Sequence, residues 1–216
     1  MKVIVSFLCT FLGIVAGFSQ GSDPAAKKIL DQASAKIKSY KSIQVVFTLQ
    51  LQDGQGASQG TKKGTVNMKG NKYVVLITGQ EIYCDGKTIW TYDKSANEVT
   101  ITKVDPSSNT LSPQKLFTNF YDKDFLYKMN GQQKMGTKTV VEIEMTPIDK
   151  TQNFHKVYLY VDNKSHLVTS GKMLDKSGNK YIYTINSLNG AANLSDNSFL
   201  FNKSEHPGVE EVNLTQ

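Results

Sequence analysis

The sequence predicts a single, mainly β domain of about ten or eleven antiparallel strands, with a helix at its start and a short helix inserted midway. Three observations lead to this prediction. Apolar and polar residues alternate over many short segments, turn-forming residues separate those segments, and helical spacing is confined to two places. No linker, repeat or low-complexity run divides the chain.

The first nineteen residues are predicted to be a cleaved secretory signal. An apolar run over residues 3–18 follows a lysine and is too short to span a bilayer comfortably. Gly17 and Ser19 supply small residues at the −3 and −1 positions of a signal-peptidase site. We therefore expect residues 1–19 to be removed and residues 20–216 to form one exported domain; a retained membrane anchor is the alternative.

Cysteine content and charge limit the classes of function that the chain can have. Cys9 lies inside the predicted leader, so Cys84 is left alone and cannot close an internal disulfide. The formal charge is +6, and every basic residue is a lysine. Nucleic acid readers rely on the planar fork of arginine, so no nucleic acid partner is expected. The lysines are scattered over strand positions and turns, which leaves only a weak attraction to anionic membranes open.

Helical spacing opens the mature chain in SDPAAKKILDQASAKIKSY. Ser22 or Asp23 can cap a helix, and Pro24 suits its first turn. Apolar residues then recur on one stripe over residues 26–40, which predicts an amphipathic helix. From Ile43 the period changes to two, which predicts a strand with one buried face.

Further strands are predicted along the rest of the chain. Tyr73, Val75 and Ile77 face one way on a third strand, after a second strand that carries Val66 and Met68. Later segments of the same kind are KTVVEIEM, KVYLYV, HLVTSGKML and KYIYTINSL. Hairpin turns fall at Asn163–Lys164 and at Ser177–Gly178–Asn179.

The segment IYCDGKTIW predicts a hairpin whose two faces are both apolar. Asp85 and Gly86 are typical of a two-residue type I′ turn, which would pair Cys84 with Lys87. The predicted faces carry Ile82, Cys84 and Ile89 on one side and Tyr83, Trp90 and Tyr92 on the other. One face is therefore expected to line an interior, and the other to meet a helix or a partner.

Catalytic machinery is not visible in the sequence. A nucleophilic Cys84 would need a base and an orienting group, but His155, His166 and His206 lie in no motif associated with a cysteine nucleophile. Neither these histidines nor the carboxylates show the spacing of a metal site or of an acid–base pair. We expect a structural thiol and no catalytic residues, no cofactor and no metal.

The inserted helix is more apolar than a surface connection requires. Ser112 can cap it, and the helix is predicted from Pro113 to Tyr121. Its apolar residues are Leu116, Phe117, Phe120 and Tyr121. Two interpretations share this geometry: a permanent plug in the end of a barrel, or a lid over an apolar cavity that moves aside for a ligand.

The order of several motifs along the chain resembles the LolA-type outer-membrane lipoprotein carriers. These motifs are FTLQLQDG, GTVNMKGNKY, YCDGKTIWTY, NEVTI, SPQKLF and FLF followed by HPGV. The resemblance covers nearly all of the mature chain, and DGKTIWTY is its most specific part. It implies an incompletely closed barrel, capped by helices, whose cavity takes the acyl chains of a lipoprotein and carries them from the inner to the outer membrane.

The resemblance also implies a ligand-binding surface and partners. The predicted cavity walls are Phe47, Leu49, Tyr73, Val75, Trp90 and Tyr92, with Leu116, Phe117 and Phe120 from the lid. Better-known members latch the lid through an arginine, and Lys69 occupies the matching position, which makes it the candidate latch. Expected partners of a monomeric carrier are acylated lipoproteins, an inner-membrane lipoprotein-releasing transporter and an outer-membrane acceptor.

Two rival functions remain open on the sequence. One is a non-catalytic exported β module that uses exposed aromatic residues to bind another protein or a surface glycan. The other is an enzyme, which would require a histidine within hydrogen-bond reach of Cys84, or of an acidic residue inside a cleft.

Overall fold

A computed structural model describes residues 22–105 and 121–215. The predicted leader and most of the predicted inserted helix lie outside these residues. The helices are α1 (Pro24–Lys38) and α2 (Tyr121–Asp124), with 3-10 turns at Asp196–Phe199 and Lys203–Glu205. The strands are β1 (Ile43–Gln52), β2 (Ser58–Lys69), β3 (Lys72–Ile77), β4 (Gln80–Cys84), β5 (Thr88–Asp93), β6 (Glu98–Lys103), β7 (Phe125–Met135), β8 (Lys138–Pro147), β9 (Phe154–Asp162), β10 (Val168–Asp175), β11 (Lys180–Asn189) and β12 (Glu210–Asn213).

The strands form one sheet that does not close on itself. Its order is β12-β6-β5-β4-β3-β2-β1-β11-β10-β9-β8-β7, so β12 and β7 are the two edges. All pairs are antiparallel except β12 with β6, which is parallel. The predicted mainly β, incompletely closed architecture is confirmed. The sheet has twelve strands rather than ten or eleven, because the short β12 adds to an edge that the alternation pattern did not reveal.

Helix α1 forms as its sequence predicts. The Asp23 carboxylate accepts a hydrogen bond from the Ala25 amide at 2.8 Å, and proline occupies the first turn. Basic residues in the last turn complement the helix dipole. The buried stripe of Ala26, Leu30, Ala33 and Ile37 packs α1 onto one face of the sheet, which is called the inner face below.

The β4–β5 hairpin has the predicted faces but a different turn. Cys84 pairs with Ile89 and Tyr83 with Trp90, so the register is shifted by two residues from the predicted one. The Asp85 carboxylate accepts hydrogen bonds from the amides of Lys87 and Thr88, both at 2.8 Å, and holds a longer loop.

The predicted type I′ turn is therefore wrong. That turn needs positive φ at both central residues, whereas of this pair only Gly86 has it, at 93°. A shift of two residues leaves every side chain on its original face, because strand side chains alternate with a period of two.

The strands run between two ends of the sheet. The α1–β1 link and the β2–β3, β4–β5, β7–β8 and β9–β10 turns lie at the helix-capped end. The β1–β2, β3–β4, β5–β6, β8–β9 and β10–β11 turns, together with α2, lie at the far end. Neither described helix combines the length and the apolarity needed to cross a bilayer.

Candidate functional site: an apolar inner face

Strand register places apolar side chains in rows across the inner face. Val45 pairs with Val66, Val66 with Val75, and Val75 with Ile82. Directly paired residues point to the same side of a sheet, so these four side chains form a row across β1–β4.

A second row crosses the other half of the sheet. Leu49 pairs with Tyr183, Tyr183 with Gly171, and Gly171 with Leu159. Leu159 then pairs with Ile143 on β8. The inner face therefore carries two apolar clusters, one on β1–β4 and β11 and one on β7–β9, with Gly171 between them in this row.

On the part of the inner face formed by β1–β4 and β11, burial falls from the helix-capped end toward the far end. Helix α1 ends beside the start of β1, and Ile37 packs into the cluster that contains Ile43, Val45 and Cys84. At the far end of these strands the inward side chains of Leu51, Ile77, Ile82, Tyr181 and Tyr183 are only half-buried. The far ends of β7–β9, in contrast, are buried under α1 and α2, so the half-buried apolar surface is confined to β1, β3, β4 and β11.

Two shallow cavities lie at the far end among the described residues. One, of about 270 Å³, is bounded by Leu51 and Tyr181 and by the polar turns beside them. The other, of about 210 Å³, lies between α2 and the β8–β9 loop, where Phe125 and Phe154 meet the exposed Ile148. The first continues the half-buried inner surface to the solvent.

Four of the predicted wall residues lie together. Phe47, Leu49, Tyr73 and Val75 belong to one buried cluster on the inner face. The rings of Phe47 and Tyr183 are 6.3 Å apart, and burial raises the pKa of Tyr183 above its ordinary value. Contact of these residues with a ligand stays a prediction.

Trp90 and Tyr92 lie on the opposite, outer face. Trp90 pairs with Tyr83 and with Ile101, whereas the inward Cys84 pairs with Ile89. The two residues belong to a separate cluster, which the C-terminal part of the chain covers. They do not share a surface with Phe47 or Tyr73, in contrast to the prediction, because the apolar residues of this hairpin serve two different interiors.

Aromatic and polar side chains of the C-terminal segment together cover Tyr92. The rings of Phe201 and His206 lie 5.6 Å and 4.4 Å from the Tyr92 ring. The His206 Nε2 is 3.6 Å from a carboxylate oxygen of Glu81. Burial would raise the pKa of Glu81, but hydrogen bonds from Lys94 and Tyr83 hold it below its ordinary value. This histidine–carboxylate pair packs the C-terminal segment onto the outer face.

Cys84 is buried beside the β4–β5 turn, and a structural role for its thiol stays a prediction. It is 1% exposed, and burial raises the pKa of its thiol. Its described partners are the Gly86 amide, which donates to Sγ at 3.4 Å, and the Tyr73 hydroxyl. No histidine is among its hydrogen-bond partners within the described residues. Those residues also contain no group of three or more side chains suited to hold a metal ion.

Lys69 binds the C-terminal segment from the outer face. Its Nζ donates to the Leu194 carbonyl at 3.3 Å and to the Asp196 carboxylate at 2.9 Å. Lys72 contacts the same carboxylate at 3.2 Å, and the two lysines lower the pKa of Asp196. A latch between Lys69 and the lid stays a prediction.

The predicted lid residues Leu116, Phe117 and Phe120 lie outside the described residues. Tyr121, which follows them, opens α2 and is buried. Its hydroxyl donates to the Asp31 carboxylate at 2.8 Å, and burial together with this bond raises the pKa of Tyr121 to about 12. The described end of the predicted lid segment is thus tied to α1.

Sequence reasoning missed several inward residues of the site. Leu51, Ile77, Ile82, Tyr181 and Tyr183 were not predicted as walls. The alternation in KYIYTI carried the signal for the two tyrosines, but only the pairing of β1 with β11 shows that they face Leu49 and Leu51.

Comparison with known proteins agrees with this geometry. A family model described as "Outer membrane lipoprotein carrier protein LolA" matches residues 38–202. The match covers most of the chain, including the inner face of β1–β5 and of β8–β11. The chain belongs to the LolA family.

Named relatives and a solved structure extend the comparison. An outer-membrane lipoprotein carrier protein of Cupriavidus taiwanensis is 28% identical over 186 residues, which cover 82% of this chain and 85% of the relative. A protein of the same name from Francisella tularensis is 30% identical over 163 residues, covering 68% and 74%. An uncharacterized conserved protein from Thermus thermophilus shares the fold with a TM-score of 0.60 and 13% identity, covering 88% of this chain and 99% of its own.

Proposed function

We propose that the chain is a periplasmic carrier that binds the acyl chains of lipoproteins on the half-buried part of its inner face. It would take them from the inner membrane to the outer membrane without a catalytic step. The observation that carries this proposal is the half-buried apolar surface around Ile77 and Tyr183, which continues into the core yet opens at the far end. Membership of the LolA family supports it.

The driving force for binding would be burial of apolar surface. Each acyl methylene removed from water contributes about 0.8 kcal/mol. Leu51, Ile77 and Tyr181 are already half-buried by contacts with neighbouring side chains. An acyl chain that enters would displace some of these contacts, and their loss would offset part of the free energy gained by burying the acyl chain. Such an offset keeps binding weak enough for the cargo to be handed on.

The partners follow from this proposal and from the family. Acylated lipoproteins would be the cargo, an inner-membrane lipoprotein-releasing transporter the donor, and an outer-membrane protein the acceptor. A cleaved leader over residues 1–19 would direct the chain to the periplasm.

The test is the recovery of cargo from the native envelope with a matched pair of variants. Ile77 points inward and its neighbour Leu76 points outward on β3. Ile77→Asp places a charge in the acyl site, whereas Leu76→Asp places the same charge on the outer face. Each protein is purified from the native envelope and its bound molecules are identified by mass spectrometry.

Acylated lipoproteins should accompany the wild type and Leu76→Asp but not Ile77→Asp. Equal recovery with both variants would contradict the proposed site. Recovery of a non-acylated protein or a glycan instead would favour the binding-module alternative.

A further inference from the structure

The positive charge of the chain is concentrated at the helix-capped end. Strand topology gathers there the turns and strand ends that carry ten lysines, against only four aspartates among the described residues. The lysines are Lys36, Lys38, Lys41, Lys69, Lys72, Lys87, Lys103, Lys134, Lys138 and Lys164, and the aspartates are Asp85, Asp105, Asp162 and Asp196. These lysines define the basic end.

The far end has no such excess. Its described turns and strand ends, with α2, carry five lysines against six aspartates and two glutamates. The lysines are Lys94, Lys123, Lys150, Lys176 and Lys180, and the acidic residues are Asp53, Asp93, Glu98, Asp122, Asp124, Asp149, Asp175 and Glu210. Ten lysines that are distant in sequence thus meet at one end of the sheet, while the other described lysines are spread over the rest of the fold, as the sequence predicts.

Four aspartates offset only part of the charge of ten lysines at the basic end. Asp85 and Asp162 direct their carboxylates to backbone amides of their own turns. Asp196 is shared by two lysines. Lys41, Lys87 and Lys134 are exposed, and none of them forms a salt bridge with a described residue.

The shape and chemistry of the basic end suit a planar anionic surface. The lysines of the basic end lie on separate turns and strand ends, spread over the width of the sheet from β6 to β7. An ammonium is a compact point charge without the directional fork that reads a single phosphate or carboxylate. Met135 and Leu214 project there, 40% and 61% exposed, as apolar side chains among the lysines. Lysines with exposed apolar tips are typical of contact with lipid headgroups.

We propose that the basic end binds the anionic surface of a phospholipid bilayer. This contact would hold the carrier against a membrane while the apolar site at the far end faces away from that membrane. It goes beyond the proposed function, because it involves other residues and does not depend on the cargo.

The test compares two charge-matched triple variants. Lys41→Gln, Lys87→Gln and Lys134→Gln remove three charges from the basic end. The control, Lys28→Gln, Lys62→Gln and Lys63→Gln, removes three exposed charges from α1 and from the part of β2 away from that end. Co-sedimentation is measured with vesicles of pure phosphatidylcholine and of phosphatidylcholine with phosphatidylglycerol, at several salt concentrations. Circular dichroism checks that each variant is folded.

The wild type should bind the phosphatidylglycerol vesicles, more weakly as salt rises, and should not bind pure phosphatidylcholine. Each lysine near an anionic surface contributes roughly a fivefold factor in affinity, so the basic-end variant should bind tenfold to a hundredfold more weakly. The control variant should lose far less affinity for the phosphatidylglycerol vesicles.

Three results would overturn the proposal: no wild-type binding at low salt, equal loss in both variants, or equal binding to both kinds of vesicle. Soluble polyglutamate is tested in parallel. Binding to it, with no binding to vesicles, would assign the basic end to an acidic protein instead.

Discussion

The inner and outer faces of the β4–β5 hairpin are both apolar, yet they differ in how completely the rest of the chain covers them. Cys84 and Ile89 point inward into a cluster that α1 covers only in part. Trp90 and Tyr92 point outward and are covered by Phe201 and its neighbours from the same chain. The outer face is thus a closed core, whereas the inner face is only half-buried at the far end of β1, β3, β4 and β11. Apolar composition alone does not distinguish the two; the element that covers each face does.

The largest expected effect tests whether the outer-face cover is structural. Phe199 lies in the 3-10 turn that contacts β3 and is 0% exposed. Phe199→Ala should destabilise the fold by about 3–5 kcal/mol through the cavity it leaves. Leu200→Ala is the control, since Leu200 is 43% exposed and should cost less than about 0.5 kcal/mol. Urea unfolding measures both, and similar midpoints for the two variants would contradict a closed outer core.

The turn between β4 and β5 should be the next most sensitive position. Gly86 has φ 93°, and a Cβ there would collide with the Asn71 side chain. Gly86→Val should destabilise by about 2–3 kcal/mol. Gly79→Val separates the two causes, because Gly79 has φ 90° but open space around its Cα. Denaturant midpoints should fall for both variants and further for Gly86→Val; a larger fall at Gly79 would show that the Asn71 contact is unimportant.

A smaller effect is expected at the inward thiol. Cys84→Ser keeps the size of the side chain but buries a hydroxyl, which should cost about 1 kcal/mol. Cargo recovered per folded molecule should not change, because Cys84 lies under α1 and has no catalytic partner among the described residues. Mass spectrometry and urea unfolding together decide this. Loss of cargo at unchanged stability would contradict a purely structural role for the Cys84 thiol.

The smallest effect concerns the edge of the inner face. The Asp23 carboxylate accepts hydrogen bonds from the Met129 and Ala25 amides, which lower its pKa below the ordinary 3.8. Asp23→Asn should cost a few tenths to about 1 kcal/mol at neutral pH. Because the folded pKa is lowered, the advantage of the wild type is fully present above the unfolded value and is lost as pH falls through the folded one. Urea unfolding from pH 7 to pH 3 should show the difference shrinking, and a constant difference would exclude the charge as its cause.

Local patterns were enough to predict most of the sheet and helix α1. Strand alternation fixed which residues share a face, so the faces of the β4–β5 hairpin were predicted correctly even though its turn was not. The turn prediction failed because the Asp85 side chain satisfies two amides of a longer loop, and the Asp-Gly pair alone does not reveal this.

Contacts between distant segments could not be predicted in this way. Strand β12 has no apolar alternation and forms only by pairing with β6. The assignment of Trp90 to the cavity failed because its cover comes from Phe201, more than a hundred residues later. The clustering of lysines has the same origin, since only the strand order brings Lys41, Lys87 and Lys134 to one end.

Acyl chains are proposed to bind the inner face and not the outer one. Site-specific photo-crosslinking tests this proposal most directly, with benzoylphenylalanine at Ile77 or at Leu76 in otherwise identical proteins produced in the native cell. The two positions are adjacent on β3 and point to opposite faces, so expression and diffusion are matched. Crosslinks to acylated lipoprotein, through its acyl chains, are expected from position 77, and none above background from position 76. Equal crosslinking from both positions, or crosslinking from position 76 alone, would contradict the proposal.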